Sequence, residues 1–196
     1  MTVTWHVDDL KVSHKDPEEI TKFANFLAVI CGEALTVHRG KIHDYLGMDL
    51  DYSTEGKVGV SMIKYVDKIL EGFSEELGAP AATPAAEHLF QVRNDSEAEV
   101  LSEEKAQEFH HITAQLLFLS APSRRDIQVT VAFLTTRVKK PDTDDWGKLR
   151  RVLKYLKGTK HMKLVLCIND LSKIMWWVDA SDWTHEDCKG HTGAMM

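Results

Sequence analysis

Apolar and polar residues alternate in short runs over the first part of the chain, as they do in β-strands. The runs TVTWHV and LKVSHK flank two adjacent acidic residues, Asp8 and Asp9. Two strand-like runs around a polar pair predict a β-hairpin with the aspartates at its tip. A second hairpin is predicted over KIHDYLGMDLDYSTEGKVGVSMI, turning at Glu55 and Gly56.

Helical spacing of apolar residues appears between and after these hairpins. DPEEITKFANFLAVICG predicts a helix in which Asp16 is the N-cap, Pro17 fills the first position and Gly32 ends the helix. KYVDKILEGFSEELG predicts a second helix that ends near Gly78. Residues 79–100 lose the periodicity and contain prolines and an acidic run, so this segment is predicted to be a linker.

Three further helices are predicted after residue 100. Ser102 can cap EEKAQEFHHITAQLLFLSA, and RDIQVTVAFLTTRVKK follows. PDTDDWGKLRRVLKYLKG predicts the third, capped by Asp142 or Thr143 and ending at Gly158. In this third helix helical spacing gives a buried apolar stripe and leaves the basic residues on the outer faces. The stripe is Trp146, Leu149, Val152, Leu153 and Leu156; the outer basic residues are Lys148, Arg150, Arg151, Lys154 and Lys157.

The last part of the chain returns to strand-like patterns. MKLVLCI and KIMWWVDA each predict a strand, and Asp179 stands where the second of these apolar runs ends. GHTGAMM reads as the opening of one more strand with no partner after it. Strands at both ends and helices in the middle predict an α+β fold with an unfinished final sheet.

Charge is distributed very unevenly over the 196 residues, although the formal net charge is −6. Residues 123–163 contain twelve Lys and Arg against four Asp, whereas residues 72–108 contain nine acidic side chains against two basic ones. A basic segment of this kind is usually a solvated surface, but here basic residues also recur on neighbouring segments, including Arg124 and Arg125. This recurrence favours contact with the phosphates of a nucleic acid.

Composition narrows the setting of the protein. With 43% apolar residues the chain can bury a core, and its apolar runs are too short to span a bilayer, so no membrane partner is expected. Three widely spaced cysteines favour reduced thiols over a disulfide framework. We therefore expect an intracellular protein.

The adjacent carboxylates of Asp8 and Asp9 have two interpretations. Two like charges at a hairpin tip repel each other unless water or a cation neutralises them, and Mg²⁺ is the usual cation where phosphoryl chemistry occurs. The alternative is that the pair only forms a polar turn, and the residues V-D-D-L taken alone favour this alternative. The order of the downstream segments changes that balance.

Segments along nearly the whole chain resemble the copia-type (pseudovirus) retrotransposon polyprotein in collinear order. HVDDLKVSHKDPEEI is similar to the Y-V-D-D-L segment of reverse transcriptases, and YLGMDLDYSTEGKVGVSMIKYVDKILEGF to the hairpin and helix that follow it. WGKLRRVLKYLKGTKHMKLVL is similar to the block containing Y-L-K-G-T. WWVDASDWTHEDCKGHTGAMM resembles the start of the ribonuclease H domain. The Y-L-K-G-T and D-A-x-D-W blocks carry the most information when they occur in this order.

The resemblance implies a fragment that runs from the palm through the thumb into ribonuclease H. It implies the palm's C-terminal part and a connecting hairpin in residues 1–78, a linker in 79–100, a helical thumb in 101–162 and a truncated ribonuclease H-like sheet in 163–196. Asp8 and Asp9 match the paired palm aspartates, and Asp179 matches the first ribonuclease H carboxylate. All three would be catalytic metal ligands, for Mg²⁺ in the complete enzyme. Contact with nucleic acid is predicted for Arg124, Arg125, Lys148, Arg150, Arg151, Lys154 and Lys157.

Two functions follow as hypotheses. The first is a fragment of an RNA-directed DNA polymerase that is inactive alone, because the other catalytic carboxylates and the nucleotide-binding fingers would lie outside it. The second is a nucleic-acid-binding or decayed remnant that catalyses nothing. Under the first, the partners are an RNA–DNA hybrid or template–primer duplex and the rest of the polyprotein, and the location is the cytoplasm, a virus-like particle or the nucleus.

Overall fold

The computed structural model describes residues 1–94, 98–168, 170, 172–181 and 190–195. Its described part contains α-helices and antiparallel sheets, which confirms the predicted α+β class. The three sheets are separate: a hairpin at each end of the chain and a four-stranded sheet between them.

The first hairpin forms as the alternating pattern predicts. Strand β1 (Thr2–His6) pairs antiparallel with β2 (Asp9–Ser13), and His6 lies opposite Asp9. Val7 at the turn has a φ of 50°, in the left-handed region that a valine adopts only under strain. The two-residue connection therefore holds Asp8 at the tip and Asp9 at the start of β2.

Helix α1 (Pro17–Cys31) has both of its predicted ends. The Asp16 carboxylate accepts the Glu18 N–H at 2.9 Å, and Gly32 closes the helix at a φ of 70°, where a residue without Cβ is favoured. None of its side chains is buried. Local signals thus define this helix while the rest of the chain covers it very little.

A four-stranded antiparallel sheet has the order β3-β4-β5-β6. The strands are β3 (Ile42–Tyr45), β4 (Met48–Asp51), β5 (Lys57–Ser61) and β6 (Leu164–Cys167). β6 begins the last predicted segment, yet it pairs with β5, so that Val60 faces Leu164. An ion pair of 2.9 Å between Lys163 and Asp51 supports this long-range pairing.

Four helices form the centre of the chain: α2 (Ile63–Glu71), α3 (Glu103–Ser120), α4 (Gln128–Arg137) and α5 (Thr143–Thr159). The prediction that α2 reaches Gly78 is wrong, because the chain leaves the helix at Gly72 and both Ser74 N–H and its hydroxyl donate to the Glu108 carboxylate at 2.7 Å. A short 3-10 helix precedes α4. Asp142, the first of the two predicted caps, forms a capping box with Asp145 at the start of α5.

One hydrophobic core lies between these helices, and its buried members run from Met62 to Leu156. It contains the whole predicted stripe of α5, from Trp146 to Leu156. The predicted linker forms no helix or strand in its described residues, apart from a single bridge at Val100, but it packs Leu89 into this core. Residues 79–94 therefore cover the helices as a packed loop.

The C-terminal hairpin pairs β7 (Trp177–Ser181) with β8 (His191–Met195). Every side chain of β7 is exposed, and so are the large apolar side chains just before it, such as Ile174 and Trp176. This hairpin is thus a structured extension beyond the core.

Candidate nucleic-acid interface and carboxylate sites

Asp8 and Asp9 present two exposed carboxylates at the tip of the first hairpin. Within the described part of the chain, neither carboxylate makes an ion pair or a side-chain hydrogen bond. No third His, Cys, Asp or Glu joins them there to make a group of three possible metal ligands. The hairpin therefore offers two carboxylate groups as possible metal ligands, and no further ligand from the described residues completes a coordination site.

A groove of about 830 Å³ runs beside these aspartates, between the hairpin, α1 and residues 35–45. Apolar side chains of α1, including Phe23 and Leu27, form one wall. Tyr45 lines the opposite side, and its buried hydroxyl has no hydrogen-bond partner among the described residues. The Lys11 ammonium lies 5.5 Å from the centre of the Tyr52 ring and links the hairpin to the central sheet. The carboxylates thus line a cleft whose walls are partly apolar and partly polar.

Asp179 lies on a different hairpin. It sits in β7 opposite Gly193, is exposed, and accepts the N–H of Ala180 at 3.0 Å. Among the described residues it belongs to no group of three or more His, Cys, Asp or Glu side chains that could hold a metal ion. The predicted carboxylates thus fall into two separate sheets, and the structure brings only Asp8 and Asp9 together.

Lys148 does not lie on an outer face of α5, so that prediction is wrong. Its side chain is 6% exposed and forms an ion pair with Asp144 at 2.9 Å. The ammonium also donates to the Gln91 carbonyl at 2.6 Å and lies 4.7 Å from the centre of the Phe133 ring. Lysine can be buried when its charge is paired and its aliphatic stem packs, and both conditions hold here.

Arg124 is also inside, with a side chain only 2% exposed. Its guanidinium makes two bonds to Asp126, at 2.9 and 2.6 Å, and two more to the carbonyl and hydroxyl of Thr159. Burial alone would raise the pKa of Asp126, but hydrogen bonds from Arg124 and Tyr155 and the charge of Arg124 together outweigh burial, so the pKa lies below its usual value. Arg124 therefore joins α5 to the turn before α4, whereas its neighbour Arg125 is exposed.

The remaining basic residues of α5 lie under the loop that precedes α3. Arg150 forms an ion pair with Glu75 at 3.2 Å and donates to the Glu76 carbonyl. Lys157 donates to the Gly78 carbonyl at 3.0 Å. These contacts hold the loop against the helix face that helical spacing alone assigns to solvent.

Arg151 and Lys154 line a groove of about 640 Å³ between α5 and the loop, which we call the α5 groove. Arg151 donates to the Thr83 hydroxyl at 2.9 Å, while its buried Nε has no hydrogen-bond partner in the described part of the chain. Alanines and prolines of residues 79–86 form the facing wall. Sequence reasoning missed this wall; the apolar run Leu89-Phe90 inside the predicted linker was the signal that the segment packs.

No helix in the described ranges combines the length and the apolar character that crossing a bilayer requires.

Comparison with known proteins finds relatives among retrotransposon proteins. The chain is 26% identical over 159 residues, 79% of its length, to a retrovirus-related Pol polyprotein from transposon TNT 1-94 of Nicotiana tabacum. It is 24% identical over 200 residues, 97% of its length, to a transposon Ty5-1 protein of Saccharomyces cerevisiae. An uncharacterised mitochondrial protein of Arabidopsis thaliana is 27% identical over 144 residues, 74% of the chain.

The matched regions cover 12%, 60% and 57% of these relatives' own lengths, so the chain spans less than two thirds of each. No protein-family model matches the chain. No solved structure matches it either. At this level of identity the relatives support a retrotransposon-derived polyprotein fragment.

Proposed function

We propose that the chain is the palm-to-thumb part of an RNA-directed DNA polymerase from a copia-type retrotransposon. In this proposal Asp8 and Asp9 supply two metal-binding carboxylates, and the helical centre contacts the template–primer duplex. The observation that carries the proposal is the Asp8–Asp9 turn, where two adjacent, exposed carboxylates have no charged partner among the described residues. One relative is named a Pol polyprotein, and its match covers 79% of this chain. This match supports the same assignment.

The chemistry of the Asp8–Asp9 pair fits Mg²⁺. Magnesium prefers oxygen ligands and is usually held by one or two carboxylates together with substrate phosphates and water. When bound in a polymerase, the metal activates the attacking hydroxyl and stabilises the leaving oxygen. The chain's own part is to hold the two carboxylates at a turn that lines the cleft beside α1. The other ligands would come from the substrate, from water and from the rest of the polyprotein, which is the proposed partner.

Asp179 is proposed to serve ribonuclease H in the complete polyprotein. Its exposed position on β7 leaves the carboxylate accessible, with one hydrogen bond to a neighbouring backbone N–H. Asp182 to Lys189, with the sequence DWTHEDCK, lie outside the described residues. The role therefore rests on the match of the D-A-x-D-W block.

Template–primer contact is proposed for the basic residues that reach the surface of the helical centre. Arg125 is exposed, and so is Lys157. Arg150, Arg151 and Lys154 are partly exposed. Arg124 and Lys148 are left out, because their charges are paired inside the protein. Contacts to phosphates alone would give binding without sequence preference.

Manganese titration tests the carboxylate assignment on the chain as it exists. Mn²⁺ replaces Mg²⁺ at oxygen sites and broadens the NMR signals of nearby amides. We expect broadening around Asp8 and Asp9 at the lowest Mn²⁺ concentrations, stronger when a template–primer duplex supplies phosphates. The double substitution Asp8→Asn/Asp9→Asn should remove it.

The matched control is Glu103→Gln/Glu104→Gln, which removes the same charge from another exposed adjacent pair, in the first turn of α3. It should leave the broadening at Asp8 and Asp9 unchanged. Equal broadening at the two acidic pairs of the wild type would contradict the assignment. Hybrid binding without any metal effect at Asp8 and Asp9 would favour the second candidate, a non-catalytic nucleic-acid-binding remnant. That candidate draws support from the lack of a third ligand in the described residues.

A further inference from the structure

The α5 groove has a basic floor and an uncharged wall. Four basic residues of α5 line it, namely Lys148, Arg150, Arg151 and Lys154. The loop on the other side contributes alanines and prolines between Ala79 and Ala86. His88 and Leu89 continue the loop side, and Asp144 lies on the helix side, where it is paired with Lys148. An anionic ligand would therefore meet its cationic partners on the helix and mostly small aliphatic groups on the loop.

Two of the four basic residues already have acidic partners. Asp144 pairs with Lys148, and Glu75 pairs with Arg150 at 3.2 Å. Arg151 and Lys154, three residues apart on the helix, form no ion pair with any described residue. The groove therefore carries two uncompensated positive charges close to each other.

The Arg151 side chain shows what the groove lacks. Its terminal nitrogen is bonded to Thr83, but its Nε–H is buried without an acceptor in the described part of the chain. A buried donor without an acceptor is unfavourable, and a phosphate oxygen is the acceptor that a guanidinium binds best. Lys154 can add a second contact as a point charge.

We propose that the α5 groove binds one strand of nucleic acid through its phosphodiester backbone, with Arg151 and Lys154 as the phosphate ligands. This proposal rests on the proposed function and specifies its substrate class at this surface. A groove of about 640 Å³ between a helix and a packed loop has room for a single strand, whereas a double helix is too wide to enter it and would contact these basic residues only at the exposed rim. Most of the loop wall is alanine and proline, so the bases of the strand would meet few side-chain donors and acceptors, and we expect binding with little sequence preference.

The test measures binding of a fluorescent oligouridylate strand by anisotropy over a range of salt concentrations. Arg151→Gln/Lys154→Gln should weaken binding at low salt by about tenfold, the loss of two charge-assisted contacts partly screened by water. The slope of log affinity against log salt should become shallower by about 1.4, since each phosphate contact on a single strand contributes about 0.7. Ala82→Glu, which adds a carboxylate on the groove's loop side, should also weaken binding without removing a basic residue.

Lys139→Gln/Lys140→Gln is the matched control, because it removes the same charge from the exposed turn between α4 and α5, outside the groove. Circular dichroism checks that each variant is folded. If Arg151→Gln/Lys154→Gln does not fold, the loss of binding by Ala82→Glu tests the groove proposal instead. A strand containing 4-thiouridine should photo-crosslink to residues 79–91 or 148–157. The groove proposal would be overturned if Lys139→Gln/Lys140→Gln weakened binding as much as Arg151→Gln/Lys154→Gln. Crosslinks only to other residues would also overturn it.

A second arm separates this proposal from the proposed function. The same variants are titrated with an RNA–DNA hybrid. Hybrid binding by the wild type without single-strand binding would refute the groove and leave the template–primer proposal intact. A folded wild type that binds neither nucleic acid at low salt would refute both.

Discussion

The helical centre and the two end regions of the chain are built in different ways. Between residues 62 and 156 the apolar side chains of four helices and a covering loop close around one core. In the end regions, by contrast, α1 has no buried side chain, and every residue of β1 and β7 is exposed. Burial of apolar area is the main source of stability, so the centre can fold without the ends, while the ends depend on few contacts.

The difference also separates the two proposed activities. Asp8 and Asp9 stand on the first hairpin and Asp179 on the last, so every proposed metal ligand lies outside the core. The proposed phosphate ligands of the α5 groove lie on a helix whose other face is fully buried. Binding is thus positioned by the rigid centre of the chain, whereas the carboxylates need support beyond this core to be held in place for chemistry.

The largest expected effect on the free energy of unfolding comes from a comparison of alanine substitutions at two phenylalanines, one in the core and one in α1. Phe109→Ala, at a fully buried position of α3, should reduce the free energy of unfolding by about 3–5 kcal/mol, because it leaves a cavity in the core. Phe26→Ala in α1, where the side chain is 58% exposed, should change it by less than about 0.5 kcal/mol. Urea unfolding followed by tryptophan fluorescence measures both. Losses of similar size would show that α1 belongs to the same cooperative unit.

The buried Arg124 is expected to have the next largest effect. Arg124→Leu removes the bonds that tie Asp126 to Thr159 and should lower the free energy of unfolding by about 2 kcal/mol. In Arg124→Leu the Asp126 carboxylate loses its charge partner. Adding Asp126→Asn removes this unpaired charge and should therefore recover part of the lost stability. A double-mutant cycle from urea unfolding measures the coupling. Additive losses would mean that the two side chains act independently.

Helix caps give a smaller and more local comparison. Asp142 accepts N–H groups from Asp144 and Asp145 at the start of α5, and Asp16 accepts one from Glu18 at the start of α1. Asp142→Ala should cost about 1 kcal/mol in global unfolding. Asp16→Ala should leave the global transition unchanged and only reduce helix content in circular dichroism. If Asp16→Ala shifted the global unfolding transition as much as Asp142→Ala, α1 would unfold together with the core.

Local signals in the sequence predicted these elements well. Asp16 with Pro17, Ser102 and Asp142 all begin the helices expected of them, because a cap acts on backbone groups a few residues away. The stripe of α5 is buried as its spacing predicted. The hairpin tip at Asp8 also follows from its neighbours.

Long-range partners could not be predicted in the same way. The helical position of Lys148 indicates solvent, but Asp144 and the Gln91 carbonyl satisfy its charge inside the protein. The residue pattern of β6 predicts a strand but does not identify β5 as its partner, because an apolar pattern alone would suit pairing with other strands equally well. The covering of α5 by residues 75–92 depends on such contacts, so the groove between them became visible only in the structure.

The smallest expected effect is a difference in pH dependence between the centre and the C-terminal end. The pKa of Asp126 lies below its usual value, because hydrogen bonds from Arg124 and Tyr155 and the charge of Arg124 together outweigh burial. A lowered pKa in the folded state adds stability above the unfolded-state pKa, and this stability is lost as the pH falls through the folded value. The wild type should therefore be more stable than Asp126→Asn at neutral pH, and the difference should shrink below about pH 4. Because Asp126 is only partly buried, its pH-dependent part should stay under about 1 kcal/mol.

Asp170 provides the matched control at the C-terminal end. Hydrogen bonds from Ser172 also lower the pKa of this carboxylate, but they do so on an exposed turn outside the core. Urea unfolding of Asp170→Asn between about pH 3 and pH 6 should follow the wild type at every pH, because a local turn that opens independently contributes nothing to global unfolding. A pH-dependent difference from the wild type at Asp170, comparable with that at Asp126, would show that the end region unfolds together with the helical core. The two carboxylates, whose pKa values are shifted in the same direction, thus test whether the boundary of the core is also the boundary of cooperative unfolding.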